Sequence, residues 1–271
     1  MKIIRYLDSR GTIKYGARQP EGGALEIRGD LYSGRELTKT PADLQQLLAP
    51  VTPTAFICIG LNYRQHAVET GSPIPENPVV FFKSPGAVQH PWKPVIIPSQ
   101  FITSTEVDFE CELAVVIGKT CLNATRANAL SHVLGYTCAN DISARDWQAK
   151  WGGSQWCRGK TFDTFGPLGP CLVTTDEIPD PNTLRIRTLL NEKTMQDSNT
   201  SDMIFDVPAL IQFLSSSTTL LPGTVILTGT PQGVGVARKP QVFLKAGDVV
   251  TVEIEKIGAL TNPVQCETKS K

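Results

Sequence analysis

An alternation of acidic and apolar residues over positions 106–113 constrains this chain more than any other feature. The segment runs Glu-Val-Asp-Phe-Glu-Cys-Glu-Leu and is followed by the apolar run Ala114–Ile117. Side chains of a β-strand point alternately to its two faces, so a strand here carries Asp108, Glu110 and Glu112 on one face and apolar residues on the other. The alternation therefore predicts a buried strand with one acidic face.

Three carboxylates on one face of a sheet repel one another unless a positive charge lies among them. A hard divalent cation, which prefers oxygen ligands, supplies such a charge. Asp141 follows about one hairpin or crossover later, in a dense polar stretch that runs to Gln148. From the residues alone we predict an oxygen-ligand metal site in an enzyme, with all three strand carboxylates as direct ligands.

The composition bounds the class of protein and its partners. The chain has 271 residues, 41% of them hydrophobic, which is enough for one large domain or for a large and a small one. The chain has 26 lysine and arginine residues and 26 aspartate and glutamate residues, so its net charge does not indicate binding to nucleic acid. No apolar stretch approaches the roughly 20 residues of a membrane span. We expect no nucleic-acid or membrane partner, and a cytoplasmic location, or a mitochondrial one if a presequence has been removed.

The chain is predicted to divide into a small domain, residues 1–54, and a larger catalytic domain, residues 55–271. The small domain alternates short β-like runs with turns and ends in a predicted helix over Pro41–Leu48, which gives it an α/β character.

The larger domain is predicted to have many strands and few helices. The helices are Ala124–Ser131 and Asp206–Ser215, the second with Asp206 as its N-cap. The predicted strands are Ala55–Gly60, Val79–Lys83, Leu113–Gly118, Gly135–Ala139, Leu168–Val173, Leu184–Leu190, Val225–Thr228 and Val249–Glu255. This content indicates a β-rich mixed fold and not a regular doubly wound sheet.

A histidine and a glutamate lie three residues apart within Gly60–Gly71. At this spacing His66 and Glu69 share one face of a helical turn, so that Glu69 can orient His66 and raise its basicity. A surface ion pair is the alternative explanation, and taken alone it is the more common one. His66 is thus a candidate proton carrier for the metal site.

The segment Thr228–Gly235 has the pattern Gly-x-x-x-Gly-x-Gly after a predicted strand. A nucleotide-binding loop is one explanation, but the segment lacks the Lys-Ser/Thr ending of a phosphate loop and no helix pattern follows it. We favour a tight turn that brings backbone amides and Thr230 near a substrate carboxylate.

Several motifs, in order along the chain, resemble the fumarylacetoacetate hydrolase family from Phe56 to about Ile257. The matching segments are Gly60–Gly71, Val107–Gly118, Gly135–Gln148, Gly159–Pro167, Gln196–Ile204 and Ile226–Gly235. The run Ser154–Thr164 is especially similar to the branch called fumarylacetoacetate hydrolase domain-containing protein 2. The resemblance implies an α+β, β-rich fold: a mixed β-sandwich roll of the fumarylacetoacetate hydrolase C-terminal domain type, with the small α/β domain at its N-terminus.

The resemblance also implies Mg²⁺ or Mn²⁺ held by Glu110, Glu112 and Asp141. It places Asp108 outside the direct ligands, unlike the alternation alone. The carboxylate and keto oxygens of a 2-oxo acid chelate such an ion, which stabilises the enolate formed when a proton or a carbon group leaves C3.

The family's catalytic residues match three positions here. His66 and Glu69 match a catalytic pair carried on a lid that orders over the substrate, and Lys160 matches a lysine that offsets the enolate charge. Positions that contact substrate or hold the metal's surroundings match Arg145, Gln148 and Thr230, with Tyr63 as a further candidate. For Arg145, an ion pair with Asp146 or a neighbouring carboxylate is an equal alternative.

One departure from the family concerns the substrate. Full-length fumarylacetoacetate hydrolases carry an acidic ligand seven residues before the histidine, where this chain has Ile59. The site therefore resembles that of smaller members, which act on acylpyruvates, oxaloacetate or hydroxymuconate-type diacids. We predict an oxaloacetate keto–enol tautomerase. Hydrolysis of a C–C bond in an acylpyruvate or another β-diketo acid, and decarboxylation of oxaloacetate, remain alternatives because they use the same metal and proton carrier.

A catalytically silent metal-binding homologue is an alternative of another class. The presence of His66, Glu69 and Lys160 together favours the enzyme. The expected partners are a small 2-oxo acid substrate and, as the resemblance implies, a second copy of the chain in a homodimer.

Overall fold

A computed structural model describes residues 1–153 and 155–268 of the protein. Ser154, the first residue of the Ser154–Thr164 motif, lies outside the described residues. The first ten strands are β1 (Lys2–Leu7), β2 (Ile13–Arg18), β3 (Ala24–Asp30), β4 (Gly34–Pro41), β5 (Gln46–Leu48), β6 (Phe56–Gly60), β7 (Val79–Phe82), β8 (Val88–Gln89), β9 (Val95–Ile97) and β10 (Val107–Asp108). The others are β11 (Cys111–Ile117), β12 (Val133–Asn140), β13 (Ser143–Ala144), β14 (Gly166–Thr174), β15 (Arg185–Leu190), β16 (Lys193–Asn199), β17 (Val225–Leu227), β18 (Val249–Ile254) and β19 (Gly258–Cys266).

The strands form two main sheets. The larger runs in the order β4-β3-β2-β1-β14-β12-β11-β17-β6-β7, with β5 paired to β1 and β8 to β14. The smaller runs β16-β15-β18-β19-β9, and β10 pairs separately with β13. This arrangement confirms the predicted α+β, β-rich fold, and all eight strands predicted after residue 54 are present.

The central strand β11 is buried on both faces. Leu113 and Val115 share a hydrophobic cluster with Ile186 of β15, because the two sheets pack face to face there. Ala114 and Val116 belong to a second cluster on the opposite face of the large sheet. Because both faces of this strand are covered, successive residues are apolar without alternation, which explains the apolar run at residues 113–117. The acidic residues just before this run therefore stand on a rigid element.

The regular elements of residues 1–54 are all strands, so the predicted helix over Pro41–Leu48 is wrong. Residues 46–48 are β5, which pairs antiparallel with β1. Pairing with β1 satisfies this backbone and buries Leu48, and such tertiary contacts override local helix propensity. β1 also pairs with β14, so these strands extend the large sheet. The domain division at residue 54 stays a prediction.

The described residues form three short α-helices: α1 (Arg64–Thr70), α2 (Cys157–Lys160) and α3 (Val207–Ser215). The helix predicted from Asp206 is confirmed as α3, whose N-cap Asp206 accepts a hydrogen bond from the backbone N–H of Ala209 at 3.0 Å. The α-helix predicted over Ala124–Ser131 is wrong. Only a 3₁₀ turn, Ala129–His132, forms, and the Asn128 side chain accepts from a backbone N–H in a local bond that competes with helix formation.

None of the helices in the described ranges has the length and apolar character needed to cross a membrane.

Candidate active site

The carboxylates of Glu110, Glu112 and Asp141 meet where β11 begins and β12 ends. Antiparallel pairing sets Cys111 opposite Asn140, and the backbone N–H of Asp141 donates to the Glu110 carbonyl at 2.9 Å. One oxygen of each carboxylate lies within 4.8 Å of the other two, and all three side chains are buried. The alternation placed two of these residues on one face, and strand pairing added the third.

Asp108 lies outside this group of three. The chain leaves β10 at Asp108 and enters β11 only at Cys111, so the single strand predicted over 106–113 is broken. Its carboxylate accepts hydrogen bonds from the backbone N–H groups of Gly235 at 2.8 Å and Val236 at 2.9 Å, and from Arg145 Nε at 2.9 Å. Through these bonds Asp108 positions the guanidinium of Arg145 and the end of the segment Thr228–Gly235, which we call the glycine-rich segment. The alternation alone was therefore wrong to place Asp108 beside the other carboxylates.

Three buried cations lie among the carboxylates. Lys160 Nζ donates to Glu110 Oε2 at 2.7 Å and to Asp141 Oδ2 at 2.8 Å. Lys83 Nζ lies 2.6 Å from Asp141 Oδ1, and an Arg145 terminal nitrogen lies 2.7 Å from Glu110 Oε1. Both oxygens of Glu110 and both of Asp141 thus contact cations.

Arg145 forms the expected ion pair with neighbouring carboxylates, Asp108 and Glu110, and its contact with substrate stays a prediction. Asp146 instead accepts from the Ser104 hydroxyl at 2.8 Å. Arg145 also donates to Gln148 Oε1 at 3.0 Å. The guanidinium is therefore held in a fixed orientation beside the carboxylate group.

The pKa values of two potential ligands, Glu112 and Glu110, and of Lys160 are shifted in different directions from different causes. Burial raises the pKa of Glu112 well above its usual range, and repulsion by Asp141 and Glu110 adds to the effect. Burial opposes ionisation of Glu110, but Lys160 and Arg145 outweigh it and lower the pKa of that carboxyl. Burial likewise opposes the charge of Lys160, but Asp141 and Glu110 outweigh it and raise the pKa of the ammonium.

These residues fit a hard divalent ion. They offer oxygen donors that lie close together, and a cation there relieves the repulsion on Glu112. Among the described residues, Glu112 Oε2 accepts from the backbone N–H of Gly229 at 2.6 Å, and no cation pairs with this carboxylate. Gly229 has φ of 95°, a left-handed conformation that favours glycine.

Helix α1 carries His66 and Glu69 and brings them close to the carboxylates of Glu110 and Glu112. His66 Nδ1 lies 3.1 Å from Glu69 Oε2, and Glu69 Oε1 accepts from the backbone N–H of Gly233 at 2.8 Å. Asn62, fully buried just before α1, donates to the carbonyl of Thr228 at 2.7 Å. The pair is therefore more than a surface ion pair, because Glu69 ties α1 to the glycine-rich segment.

A cavity of about 210 Å³ lies between α1 and the carboxylates. It is lined by seven of the predicted site residues: His66, Glu110, Glu112, Arg145, Gln148, Lys160 and Thr230. Glu69 and Asp141 contact this set through His66 and Lys160. The remaining wall consists of Ile59, Gly60, Leu61, Thr70, Ser72, Phe81 and Trp156.

Tyr63 requires a correction. Its side chain is fully buried in the hydrophobic cluster between the sheets, and it does not line the cavity. Burial raises the pKa of its phenol well above the usual range. The prediction that Tyr63 contacts substrate is wrong, because its place beside α1 in sequence did not reveal that its side chain points into the core.

Lys83 is a residue that the sequence reasoning missed. Its ammonium group is buried and donates to the carbonyls of Ile142 at 3.0 Å, Phe165 at 2.8 Å and Lys160, besides pairing with Asp141. The available signal was a lysine at the end of an apolar predicted strand, because buried lysines require partners.

Gln196 was missed in the same way, although it begins one of the family-like segments. Its Oε1 accepts from the backbone N–H of Cys111 at 3.0 Å and the Thr188 hydroxyl at 2.7 Å. Its Nε2 donates to the Thr230 hydroxyl and the Pro231 carbonyl, both at 2.8 Å. Gln196 therefore links β11 to the glycine-rich segment and orients Thr230.

Known proteins share this architecture and much of the sequence. Residues 55–265 match the family described as fumarylacetoacetate (FAA) hydrolase C-terminal. The mitochondrial oxaloacetate tautomerase fahd2 of Xenopus laevis is 54% identical over 219 residues, which cover 80% of this chain and 68% of that protein. The human mitochondrial oxaloacetate tautomerase FAHD2A is 48% identical over 230 residues, which cover 84% of this chain and 72% of that protein.

Solved structures align over nearly the whole chain. A 2-hydroxyhepta-2,4-diene-1,7-dioate isomerase from Mycobacterium marinum is 37% identical with a TM-score of 0.85, covering 99% of this chain and 100% of that one. A fumarylacetoacetate hydrolase from the psychrophile Exiguobacterium antarcticum is 34% identical with a TM-score of 0.83, covering 98% and 100%.

Proposed function

Because this chain belongs to the fumarylacetoacetate hydrolase family, as its motifs predicted, we propose that it is a Mg²⁺- or Mn²⁺-dependent oxaloacetate keto–enol tautomerase. The observation that carries the proposal is the cavity, where the carboxylates Glu110 and Glu112 face Lys160 and His66. The similarity to proteins named oxaloacetate tautomerase supports the choice of reaction.

The charge of the site supports an anionic substrate. We call the buried charged side chains around the cavity the ionic cluster: Asp108, Glu110, Glu112, Asp141, Lys83, Arg145 and Lys160. With all of them ionised, the cluster has one excess negative charge, which a divalent ion converts to one excess positive charge. A dicarboxylate such as oxaloacetate then offsets that charge. Part of the negative charge of the substrate would lie near the cationic side chains of Lys160 and Arg145.

Each group has a role in moving a proton between C3 and the oxygen on C2. Glu110, Glu112 and Asp141 would hold the ion, which would supply a positive charge for the carboxylate and keto oxygens of the 2-oxo acid. His66, oriented by Glu69 through Nδ1, has Nε2 available to carry the proton at C3. Lys160 remains a cation and offsets charge on the enolate oxygen, while the fixed guanidinium of Arg145 orients a carboxylate.

Hydrolysis of a C–C bond in an acylpyruvate is the second candidate, and decarboxylation of oxaloacetate is a variant of the same chemistry. Both use the same enolate, and one structural relative is a fumarylacetoacetate hydrolase. A silent metal-binding homologue is the candidate of another class. The homodimer and the cytoplasmic location also remain predictions.

The decisive experiment follows the ultraviolet decay of enol-oxaloacetate with metal-stripped protein and after addition of Mg²⁺ or Mn²⁺, while pyruvate is measured in the same samples. Protein-free samples at equal metal concentration correct for decay in solution. Metal-dependent enzymatic decay without pyruvate supports the tautomerase, whereas pyruvate formation supports a decarboxylase. If neither occurs, the tautomerase proposal fails; release of pyruvate from acylpyruvates then supports the hydrolase, and its absence the silent homologue.

Replacement of His66 by alanine should lower kcat for tautomerisation by about 10²- to 10⁴-fold, because a positioned acid–base group contributes about this much. Mg²⁺ affinity should change little, since His66 is not among the three clustered carboxylates. Gln65→Ala, at the exposed neighbouring position on α1, is the matched control. A His66→Ala enzyme with nearly wild-type kcat would remove His66 from the mechanism.

A further inference from the structure

One part of the cavity wall is apolar and has no role in the proton transfer. It consists of Ile59, Gly60, Leu61, Phe81 and Trp156. The Lys160 ammonium lies 5.1 Å from the centroid of the Phe81 ring. The apolar wall therefore begins beside the cation that offsets the enolate charge, and any further substrate carbons held inside the cavity have to extend along this wall.

The indole of Trp156 is fixed in this wall by packing. Its ring centroid lies 5.6 Å from that of Phe81, in an edge-to-face arrangement. A Cβ atom built on Gly60 would lie 2.2 Å from Trp156 Cζ3, so the indole lies directly against the Gly60 backbone. Trp156 precedes Lys160 by four residues across α2, a spacing that sets both side chains on one side of a helix.

We propose that Trp156 determines the length of the substrate, by closing the apolar part of the cavity against 2-oxo acids longer than a four- or five-carbon acid. The inference rests on the proposed function for the chemistry of the reacting end and adds the specificity of the same site. The cavity, at about 210 Å³, is smaller than the roughly 300–1,000 Å³ of sites for drug-sized ligands. Polar groups that hold the reacting end face part of that volume, so little is left for further methylenes.

The kinetic test measures enol decay. It compares enol-oxaloacetate and acetylpyruvate with acylpyruvates extended by two and four methylenes. Trp156→Ala should raise kcat/KM for the extended substrates relative to the short ones by about tenfold or more, since one methylene in an apolar pocket changes discrimination by about 10- to 200-fold. Trp156→Phe should give an intermediate ratio. Trp151→Ala removes an exposed tryptophan that does not line the cavity and should leave the ratio unchanged.

A uniform loss of kcat/KM for all substrates in Trp156→Ala, or an unchanged ratio, overturns the inference in favour of a structural role. Trp156→Phe retains an aromatic ring in contact with Phe81, so it serves the comparison if the alanine variant does not fold.

A binding series separates this inference from the proposed reaction. Calorimetry with Mg²⁺ and saturated 2-oxo diacids of four to seven carbons requires no turnover. Affinity for wild-type protein should fall as the diacid lengthens, and Trp156→Ala should remove most of that fall. Equal affinity of the wild type for all lengths overturns the inference even where tautomerase activity is established. The expected length dependence without tautomerase activity retains the inference and rejects the reaction.

Discussion

Replacement of Glu112 by alanine should lower the metal-dependent kcat/KM for enol-oxaloacetate by about a thousandfold or more. An ion at such a site contributes several kcal/mol to stabilising the charge that develops in the transition state, and each 1.4 kcal/mol is about a factor of ten in rate. Glu112 is the most informative of the three carboxylates to remove. Glu110 and Asp141 also pair with Lys160, whereas Glu112 accepts a hydrogen bond from the backbone N–H of Gly229.

The measurement is the rate of enol decay over a Mg²⁺ titration, together with calorimetric Mg²⁺ binding. Glu112→Gln keeps the acceptor for Gly229 and removes the negative ligand, so it should lose activity almost as completely while it remains folded. Glu36→Ala, at an exposed position on β4, is the control and should behave as wild type. Undiminished Mg²⁺ binding and activity in both Glu112 variants would exclude this carboxylate from the metal site.

Replacement of Lys83 by methionine should destabilise the metal-free protein by about 3–5 kcal/mol, because breaking a buried ion pair is strongly destabilising and Lys160 alone then remains to offset the charge of Asp141. The Lys83 side chain is fully buried, and its ammonium contacts Asp141 and three backbone carbonyls that would lose a donor. Methionine is of similar length and apolar, so the loss reflects the charge and its hydrogen bonds more than a cavity.

Urea unfolding of the metal-free protein measures this effect, with Lys39→Met, an exposed lysine on β4, as the matched control. A double-mutant cycle with Asp141→Asn tests the cause. The paired substitutions should cost less than the sum of the single ones, because the contact between Lys83 and Asp141 can be lost only once. A Lys83→Met loss no larger than that of Lys39→Met would show that the ion pair contributes nothing net.

The elements that the residues predicted correctly are those whose pattern is set by burial. The strand Leu113–Gly118 and its seven companions appear because apolar runs bounded by turns have few alternatives. The helices predicted at Pro41–Leu48 and Ala124–Ser131 failed for a common reason. Each is a short segment with a marginal helical pattern, and pairing with β1 or a local side-chain bond outweighed it.

Within the site, the residues that sequence reasoning missed are those whose importance comes from distant partners. Gln196 acts through Thr230, and Lys83 acts through Asp141. In each pair the two residues are far apart in the chain. Tyr63 shows the reverse: it adjoins α1 in sequence, yet it packs into the core. A spacing rule predicts which side chains share a face, but not which faces meet.

The sequence by itself determined eight of the strands after residue 54, the acidic face that includes Glu110 and Glu112, and the family motifs that indicated the chemistry, because period-two alternation and local turns are encoded by neighbouring residues. The tertiary structure decided the rest. Pairing of β11 with β12 brought Asp141 to the two glutamates, and folding of distant segments placed Lys160 among them. It also directed Asp108 toward backbone amides, since the hydrogen bonds that a buried charge obtains depend on contacts between segments that sequence spacing does not specify.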